Sequence, residues 1–281
     1  MSDELPLVFA CAGEQLVGVL SRPQRVQRVG VLLLVGGDQY RVGSHRQFAL
    51  LARALAAQGY ASLRFDYRGM GDSSGEPVAF DELGPDLAAA SEQLFSNCPG
   101  VDRVVLFGLC DAASSALIFA ASLGARLAGL CLLNPWVRSE QSLAVAQVRH
   151  YYRERFLSRS FWAKLFGGRL RWRESLREYL RQLKRALRSG RESVPDDSFQ
   201  ARMLRGIEQF SGPLLLILSA DDLTAREFDD CARASRRWSA ALGREQVSRR
   251  DLAQADHTFS SASARRAVES ELLRWLSESV A

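Results

Sequence analysis

Apolar runs and helical segments alternate along the first half of the chain. The runs cover 29–35, 63–65, 104–109 and 127–134. Continuous runs of this kind are typical of parallel strands that are covered on both faces. Two short extended segments around Gly13 predict an opening hairpin, and the spacing of apolar residues predicts helices over about 46–58, 81–95 and 263–280. Strand and helix alternate, which predicts an α/β fold with a mostly parallel sheet and right-handed crossovers.

The alternation stops after Pro135. No strand-like run occurs over 136–210, where the sequence is rich in arginine and aromatic residues, and the strand pattern resumes at 214–219. The pattern therefore predicts a core made of 1–135 and 211–281, interrupted by a helical insert.

A sharp turn is predicted between the third of these apolar runs and a helix of small residues. Cys110 lies at this turn, between Gly108 and Ala112. Small residues on both flanks let the strand and helix backbones approach while the central side chain is pushed outward, which is the layout of a nucleophile elbow. The helix N-terminus favours a thiolate at Cys110, whereas the charge of Asp111 opposes it, and the sequence does not decide between the two effects. Cys110 is the predicted nucleophile.

Candidates for the other two members of a catalytic triad follow later in the chain. The run at 214–219 is followed by Asp221 and Asp222, and His257 lies near the C-terminus. Nucleophile, acid and histidine in this order are characteristic of α/β-hydrolases. After the corresponding strand of α/β-hydrolases the common pattern is Gly-x-x-Asp. With Ser219 in place of the glycine, this pattern favours Asp222 as the acid, and Asp221 is the alternative. His257 is the predicted general base and acid.

The expected oxyanion hole needs two backbone N–H donors. One is the residue after the nucleophile, Asp111, and the other is Gly37 or Asp38, in the loop after the run that ends at Val35. That loop begins Val35-Gly36, whereas many relatives of this fold begin it His-Gly. The choice between the two donors therefore stays open.

The hydrolase layout also predicts the architecture around these residues. It implies an eight-stranded, mostly parallel sheet flanked by helices, with a lid inserted after the sixth strand, so 136–210 is the predicted lid. The chain has a net charge of +5, but 138–191 contains 15 basic and 4 acidic residues, a local charge of +11 that leaves −6 for the remainder. The basic character thus belongs to the insert.

One amphipathic helix is predicted inside the insert, over 174–189. Its apolar stripe consists of Leu176, Leu180, Leu183 and Leu187. One interpretation is a lid helix that packs its leucines on the core and leaves a solvated basic surface. The other is docking to an anionic surface, namely inner-leaflet lipid, an acyl carrier protein or an acidic polysaccharide. Nucleic acid is not predicted, because no recognition motif accompanies the charge.

Composition and cysteine spacing exclude several other classes of protein and of binding site. The chain is 47% hydrophobic and 25% charged, as is ordinary for a soluble globular protein. It has no signal-like N-terminus and no apolar run near the roughly 18 residues of a membrane span, so a cytoplasmic location is expected, with peripheral attachment to the inner membrane left open. Five cysteines without CxxC spacing argue against disulfides and zinc. No metal or cofactor is expected, since no phosphate loop or GxGxxG accompanies the elbow.

Three motifs carry a resemblance to a known family. They are Tyr40 to Phe48, Arg64 to Ser73 and Gly108 to Ser114. With them the chain resembles, over nearly its whole length, the exosortase A system-associated hydrolase 1 family of bacterial α/β-hydrolases. The resemblance implies a Gram-negative enzyme tied to exopolysaccharide production and PEP-CTERM protein sorting. More distantly, the elbow is similar to those of dienelactone hydrolases and polyhydroxyalkanoate synthases.

Together the motifs predict a cysteine-triad esterase or thioesterase. A thiol nucleophile gives a thioester acyl-enzyme and suits esters, lactones and thioesters of a small acyl substrate. One alternative is an acyltransferase that moves the acyl group to a hydroxyl or thiol acceptor. Another is a binding protein that kept the fold without activity, against which the intact Cys, Asp and His argue.

Overall fold

The computed structural model describes residues 3–37, 39–138 and 197–280. The chain divides into two compact units, one of Met1–Val137 with Phe199–Ala281 and one of Arg138–Ser198. The predicted leucine stripe and most of the predicted lid lie outside the described residues.

The first unit is built on one eight-stranded sheet in the order β1-β2-β4-β3-β5-β6-β7-β8. The strands are β1 Asp3–Cys11, β2 Glu14–Arg22, β3 Val29–Leu34, β4 Ser62–Phe65, β5 Arg103–Leu109, β6 Leu127–Leu133, β7 Leu214–Ser219 and β8 Val247–Leu252. β1 pairs with β2, and β2 with β4, in antiparallel register, while every other pairing is parallel. The predicted hairpin and the mostly parallel sheet are confirmed, and the insert follows the sixth strand.

Seven α-helices cover the sheet within the described ranges. They are α1 Gln47–Ala57, α2 Gly84–Asn97, α3 Asp111–Phe119, α4 Phe199–Gln209, α5 Leu223–Ala234, α6 Arg236–Leu242 and α7 Ala262–Trp275. The helix predicted over 81–95 is divided, because a short 3₁₀ turn at Phe80–Glu82 precedes α2. Pro85 lies in the first turn of α2, where proline needs no hydrogen-bond donor and starts a helix well. The last helix continues from α7 as a π-helical turn, Leu276–Val280.

The core lies on both faces of the sheet. Along β3 every residue is buried, and successive side chains alternate between the two faces, with Leu32 and Leu34 in one apolar cluster and Val31 and Leu33 in the other. This explains why the strands read as continuous apolar runs rather than as alternating ones. Across 3–37, 39–138 and 197–280, no helix has the length and apolar character that crossing a membrane requires.

Helix α4 belongs to this core although the sequence placed it within the predicted insert of 136–210. Met203 and Ile207 are fully buried, and at Gly206 an added Cβ would lie 1.8 Å from the carbonyl oxygen of Leu117 in α3. The chain therefore rejoins the core at Phe199, earlier than the predicted boundary at 211. A missing strand pattern cannot separate a lid helix from a core helix, which is why the sequence placed the boundary late.

The two points where the core is interrupted lie next to each other. The side-chain Nε2 of Gln200 donates to the carbonyl oxygen of Val137 at 3.3 Å. The two ends of the core at this interruption are therefore neighbours.

Candidate active site

The turn after β5 holds Cys110 in a rare backbone conformation. Cys110 directly precedes α3 and has φ 62° and ψ −126°, a region that costs a non-glycine residue about 1–3 kcal/mol. Close packing of strand and helix enforces this turn, because a Cβ at Gly108 would lie 2.5 Å from the carbonyl oxygen of Ala112. The Cys110 side chain is half-buried. The structure therefore has the elbow geometry that the spacing predicts.

His257 and Asp222 meet at the same edge of the sheet. The imidazole Nδ1 lies 2.8 Å from Asp222 Oδ2. Asp222 is buried at the start of α5, and its carboxylate also accepts the backbone N–H groups of Thr224 at 3.2 Å and Ala225 at 3.1 Å. Asp221 is exposed. Of the two candidate acids, the structure brings Asp222 to the histidine.

The charges of this pair reinforce each other. The hydrogen bond that His257 makes to Asp222, followed by one with Cys110, raises the pKa of His257 to about 10, and burial only partly opposes the rise. Burial also works against ionisation of Asp222, but its hydrogen bonds to His257, Ala225 and Thr224 outweigh burial and leave its pKa lowered. Both shifts favour a protonated imidazole beside an ionised Asp222.

The predicted oxyanion donors have different surroundings. The Gly37 N–H donates to Asp111 Oδ1 at 2.8 Å, and the same oxygen accepts the Ala112 N–H at 2.8 Å. At Gly36 an added Cβ would lie 2.2 Å from the Leu109 carbonyl oxygen, so only glycine fits between the loop and the elbow. The Gly37 N–H thus already has an acceptor within the protein. Asp38 lies outside the described residues.

The fold agrees with a comparison against protein families. A model described as the Alpha/beta hydrolase family matches residues 31–270. The chain belongs to the alpha/beta hydrolase family. Membership makes it a hydrolase, and the order of Cys110, Asp222 and His257 along the chain is that of the family fold.

Solved structures share the architecture of this hydrolase. An esterase from Pyrococcus furiosus matches with TM-score 0.66 and 17% identity, over 100% of this chain and 94% of that one. A dienelactone hydrolase from Anabaena variabilis gives TM-score 0.62 and 16% identity, over 100% and 99%. Est1E from Butyrivibrio proteoclasticus, with ferulic acid bound, matches with TM-score 0.62 and 14% identity, over 97% of this chain and 100% of that one. At such identities the likeness is one of fold. A comparison with curated proteins finds no match.

A buried ion pair fixes the loop that follows β3 in this hydrolase. The carboxylate of Asp66 is buried, accepts the backbone N–H of Arg41 at 2.6 Å and pairs with the Arg41 guanidinium. Arg41 also contacts Asp72 at 2.7 Å. At Gly71 a Cβ would lie 2.3 Å from Asp66 Oδ2, so the turn after β4 closes directly over this carboxylate. The sequence contains these residues in recognisable motifs, but their pairing required the structure.

The other four cysteines of the hydrolase lie away from the candidate triad or in the core. Cys11, Cys98 and Cys131 are buried, and Cys231 is partly exposed. Burial raises the pKa of each of these four thiols, and that of Cys131 most clearly. In the described ranges, no three residues among His, Cys, Asp and Glu are grouped so that they could hold a metal ion.

Sequence reasoning missed two buried polar residues beside the site, Asn134 and Ser219. Asn134 follows β6, and Ser219 ends β7, where the Gly-x-x-Asp pattern marks it only as a small residue. The Asn134 Nδ2 lies 2.9 Å from Ser219 Oγ and 3.1 Å from the carbonyl oxygen of His257. A signal existed in the sequence, because a polar residue that ends an apolar strand requires a partner when it is buried.

Proposed function

We propose that this hydrolase cleaves an ester, lactone or thioester of a small acyl substrate through a Cys110-His257-Asp222 triad. The observation that carries the proposal is His257, which contacts Asp222 at 2.8 Å and whose raised pKa includes a hydrogen bond with Cys110. The thiolate is the nucleophilic form of cysteine, and an adjacent imidazolium stabilises it. The elbow then presents this sulfur to a bound carbonyl.

In the proposed reaction, the Cys110 sulfur attacks the carbonyl carbon and forms a tetrahedral intermediate. His257 donates its proton to the leaving group as the carbon–leaving-group bond breaks, which gives a thioester on Cys110. Water then attacks this thioester while His257 takes the proton, and the acid product leaves with Cys110 restored. Asp222 keeps the imidazole oriented and stabilises its positive charge without taking a proton. The Asp111 N–H supports the oxyanion.

The covalent intermediate provides the test. Incubation with a p-nitrophenyl acyl ester, followed by quenching and intact-protein mass spectrometry, should show one acyl adduct, and peptide mapping should place it on Cys110. Cys110→Ala should lose both the adduct and the turnover, whereas Cys231→Ala, which alters the other partly exposed cysteine, should keep both. Turnover by Cys110→Ala at the parent rate would contradict the proposal. A product that forms only with an added alcohol or thiol acceptor would instead indicate acyl transfer.

The biological setting is part of the proposal. The motifs at 40–48, 64–73 and 108–114 support a link to bacterial exopolysaccharide and exosortase systems, with a cytoplasmic enzyme. The charge of +11 over 138–191 supports attraction to an anionic surface, such as inner-leaflet lipid. Co-sedimentation with anionic vesicles should be strong at 0.1 M salt and weak at 1 M, where the screening length falls from about 10 Å to about 3 Å. An Arg177/Arg181/Arg188→Glu variant should lose it, and absence of binding at low salt would remove lipid as the surface.

A further inference from the structure

The segment that follows β6 lies between the two halves of the candidate site. On one side it holds the elbow through backbone bonds. The Cys110 N–H donates to the Leu133 carbonyl at 2.9 Å, and the Trp136 N–H donates to the Cys110 carbonyl at 3.2 Å. The Ser114 hydroxyl, in the first turn of α3, donates to the Trp136 carbonyl at 2.6 Å. Both backbone polar groups of Cys110 are therefore bonded to this segment.

On its other side the same segment holds the loop that carries the histidine. The Asn134 Nδ2 donates to the His257 carbonyl at 3.1 Å and to Ser219 Oγ at 2.9 Å, while Asn134 Oδ1 accepts the Ser219 N–H at 2.9 Å. Ser219 Oγ then donates to the Asp256 carbonyl at 2.9 Å. Two successive carbonyls of the histidine loop are thus bound to one buried pair. The carbonyl at His257 only accepts, which fixes the orientation of the amide.

Asn134 and Ser219 form a buried pair whose side-chain polar atoms are all hydrogen-bonded. Asn134 is fully buried, Ser219 is 2% exposed, and each side-chain polar atom of the pair has a partner. Asn134 also has φ 44°, a left-handed conformation that asparagine tolerates better than most residues. A buried and fully bonded polar pair gives its contacts one geometry.

We infer that Asn134, together with Ser219, is a positioning residue that sets the placement of His257 relative to Cys110. This inference rests on the proposed function. Asp222 can orient the imidazole ring, but the position of the ring also depends on the backbone from which it extends. Asn134 binds that backbone, and its neighbours Leu133 and Trp136 bind the backbone of Cys110. A displacement of about 1 Å in such a pair can cost about 10² in rate.

Three variants separate this role from a purely structural one. Asn134→Gly removes the amide and keeps the left-handed backbone free of strain. Asn134→Asp keeps an acceptor for the Ser219 N–H but has no donor for the His257 carbonyl. Ser219→Ala releases the Asp256 carbonyl and is the mildest change. Ser91→Ala is the matched control, because Ser91 is also buried and its hydroxyl donates only within α2, to Leu87.

The first readout is acyl transfer to Cys110 in a single turnover, measured on folded protein. Asn134→Gly and Asn134→Asp should slow it about 10-fold to 100-fold, Ser219→Ala less, and Ser91→Ala not at all. Thermal unfolding is recorded for each variant. A variant that is less stable but acylates at the parent rate would show that the pair is only structural and would overturn the inference.

The second readout does not need turnover. The pH dependence of Cys110 alkylation by iodoacetamide reports the partnership of sulfur and imidazole, and His257→Ala gives the profile without it. Asn134→Gly and Ser219→Ala should shift from the parent profile toward that of His257→Ala. An unchanged profile in the folded variants would contradict the inference, even if the parent forms no acyl-enzyme. Should Asn134→Gly fail to fold, Ser219→Ala decides by the same comparison.

Discussion

The two sides of the candidate site are held in place by different means. On the nucleophile side, the turn at Cys110 is formed mainly by immediate neighbours, because Gly108 and the start of α3 lie within a few residues of it. Leu133 and Trp136 add backbone hydrogen bonds to Cys110 from further along the chain. On the histidine side, His257 depends on Asp222, 35 positions away, and on Asn134, 123 positions away. The turn that carries the nucleophile is thus encoded mainly by nearby residues, whereas the placement of the base is encoded by contacts between distant segments. Changes near the elbow should therefore act through backbone geometry, and changes around His257 through hydrogen bonds.

The largest effect is expected when a side chain is added at the close contact between β5 and α3, next to Cys110. Gly108→Ala would place a Cβ 2.5 Å from the Ala112 carbonyl oxygen, between two backbones that cannot yield cheaply. Overpacking of this kind costs about 1–3 kcal/mol, and we expect turnover to fall below detection as the turn shifts. Thermal unfolding and acyl-ester turnover measure the two effects. Gly100→Ala is the control, since its Cβ meets nothing nearer than 3.5 Å. Equal behaviour of the two variants would count against a close-packed elbow.

Among the long-range contacts of His257, removal of the Asp222 carboxylate should have the largest effect. Asp222→Asn should lower kcat by a factor of about 10² to 10⁴, because the imidazole loses its orienting and stabilising partner. Asp221→Asn should retain nearly full activity, since Asp221 is exposed. Steady-state kinetics with one acyl ester suffice. A larger loss at Asp221 than at Asp222 would reverse the assignment of the acid.

The pH dependence of the unfolding free energy tests the contact between His257 and Asp222 without requiring turnover. The pKa of His257 is raised to about 10, so its contribution is complete below its unfolded value of about 6.5 and is lost as pH rises through 10. The pKa of Asp222 is lowered, so its contribution is present above its ordinary value of about 4 and is lost in acid. Wild type should therefore exceed Asp222→Asn in unfolding free energy most clearly between about pH 4 and 6.5, and the excess should shrink as the pH rises toward 10.

Denaturant unfolding at several pH values tests this expectation. Asp221→Asn should follow the wild-type curve throughout. A stability difference between wild type and Asp222→Asn that stays constant from pH 4 to 10 would show that charge pairing with His257 is not its source.

The smallest expected effect concerns Asp111, which connects the elbow to the loop after β3. Its carboxylate accepts the Gly37 N–H at 2.8 Å, so a negative charge lies beside a predicted oxyanion donor. Asp111→Asn keeps an acceptor for this N–H and removes the charge, and kcat/KM for a neutral ester should rise several-fold, since less charge opposes the developing oxyanion. Glu227→Gln, a neutralisation on α5, is the control for net charge. A several-fold decrease in Asp111→Asn would mean that the carboxylate assists the reaction instead.

The same contrast explains what could be predicted from the sequence. Strands, their parallel arrangement and the elbow at Cys110 follow from apolar runs and from small residues at short spacing. The position of Asp222 beside His257 agrees with the spacing after β7 that favoured it over Asp221. The strands, the elbow and the spacing of Asp222 from the end of β7 involve neighbours in the chain, which is the range over which sequence patterns are informative.

Other features could not be predicted, because they depend on residues that are far apart in the chain. The contact of Gly37 with Asp111 spans 74 positions, and that of Asn134 with Ser219 spans 85. In each case the sequence shows one plausible polar residue but not its partner. Helix α4 illustrates the same limit, because its amphipathic pattern does not tell which surface it covers. It packs on α3 at Gly206, so the core resumes at Phe199 and not at 211 as the sequence predicts.

The contact between Gln200 and Val137 has a consequence for how this chain can vary. A segment whose ends are already adjacent closes a loop, and the entropy of closure grows slowly, by about 0.6 kcal/mol for each doubling of length. Lengthening, shortening or exchanging the residues from 138 to 198 should therefore cost the hydrolase core little, whereas a single Cβ at Gly108 or Gly206 costs much. Changes in chain length at this junction are therefore expected to disturb the core less than substitutions at its close-packed glycines.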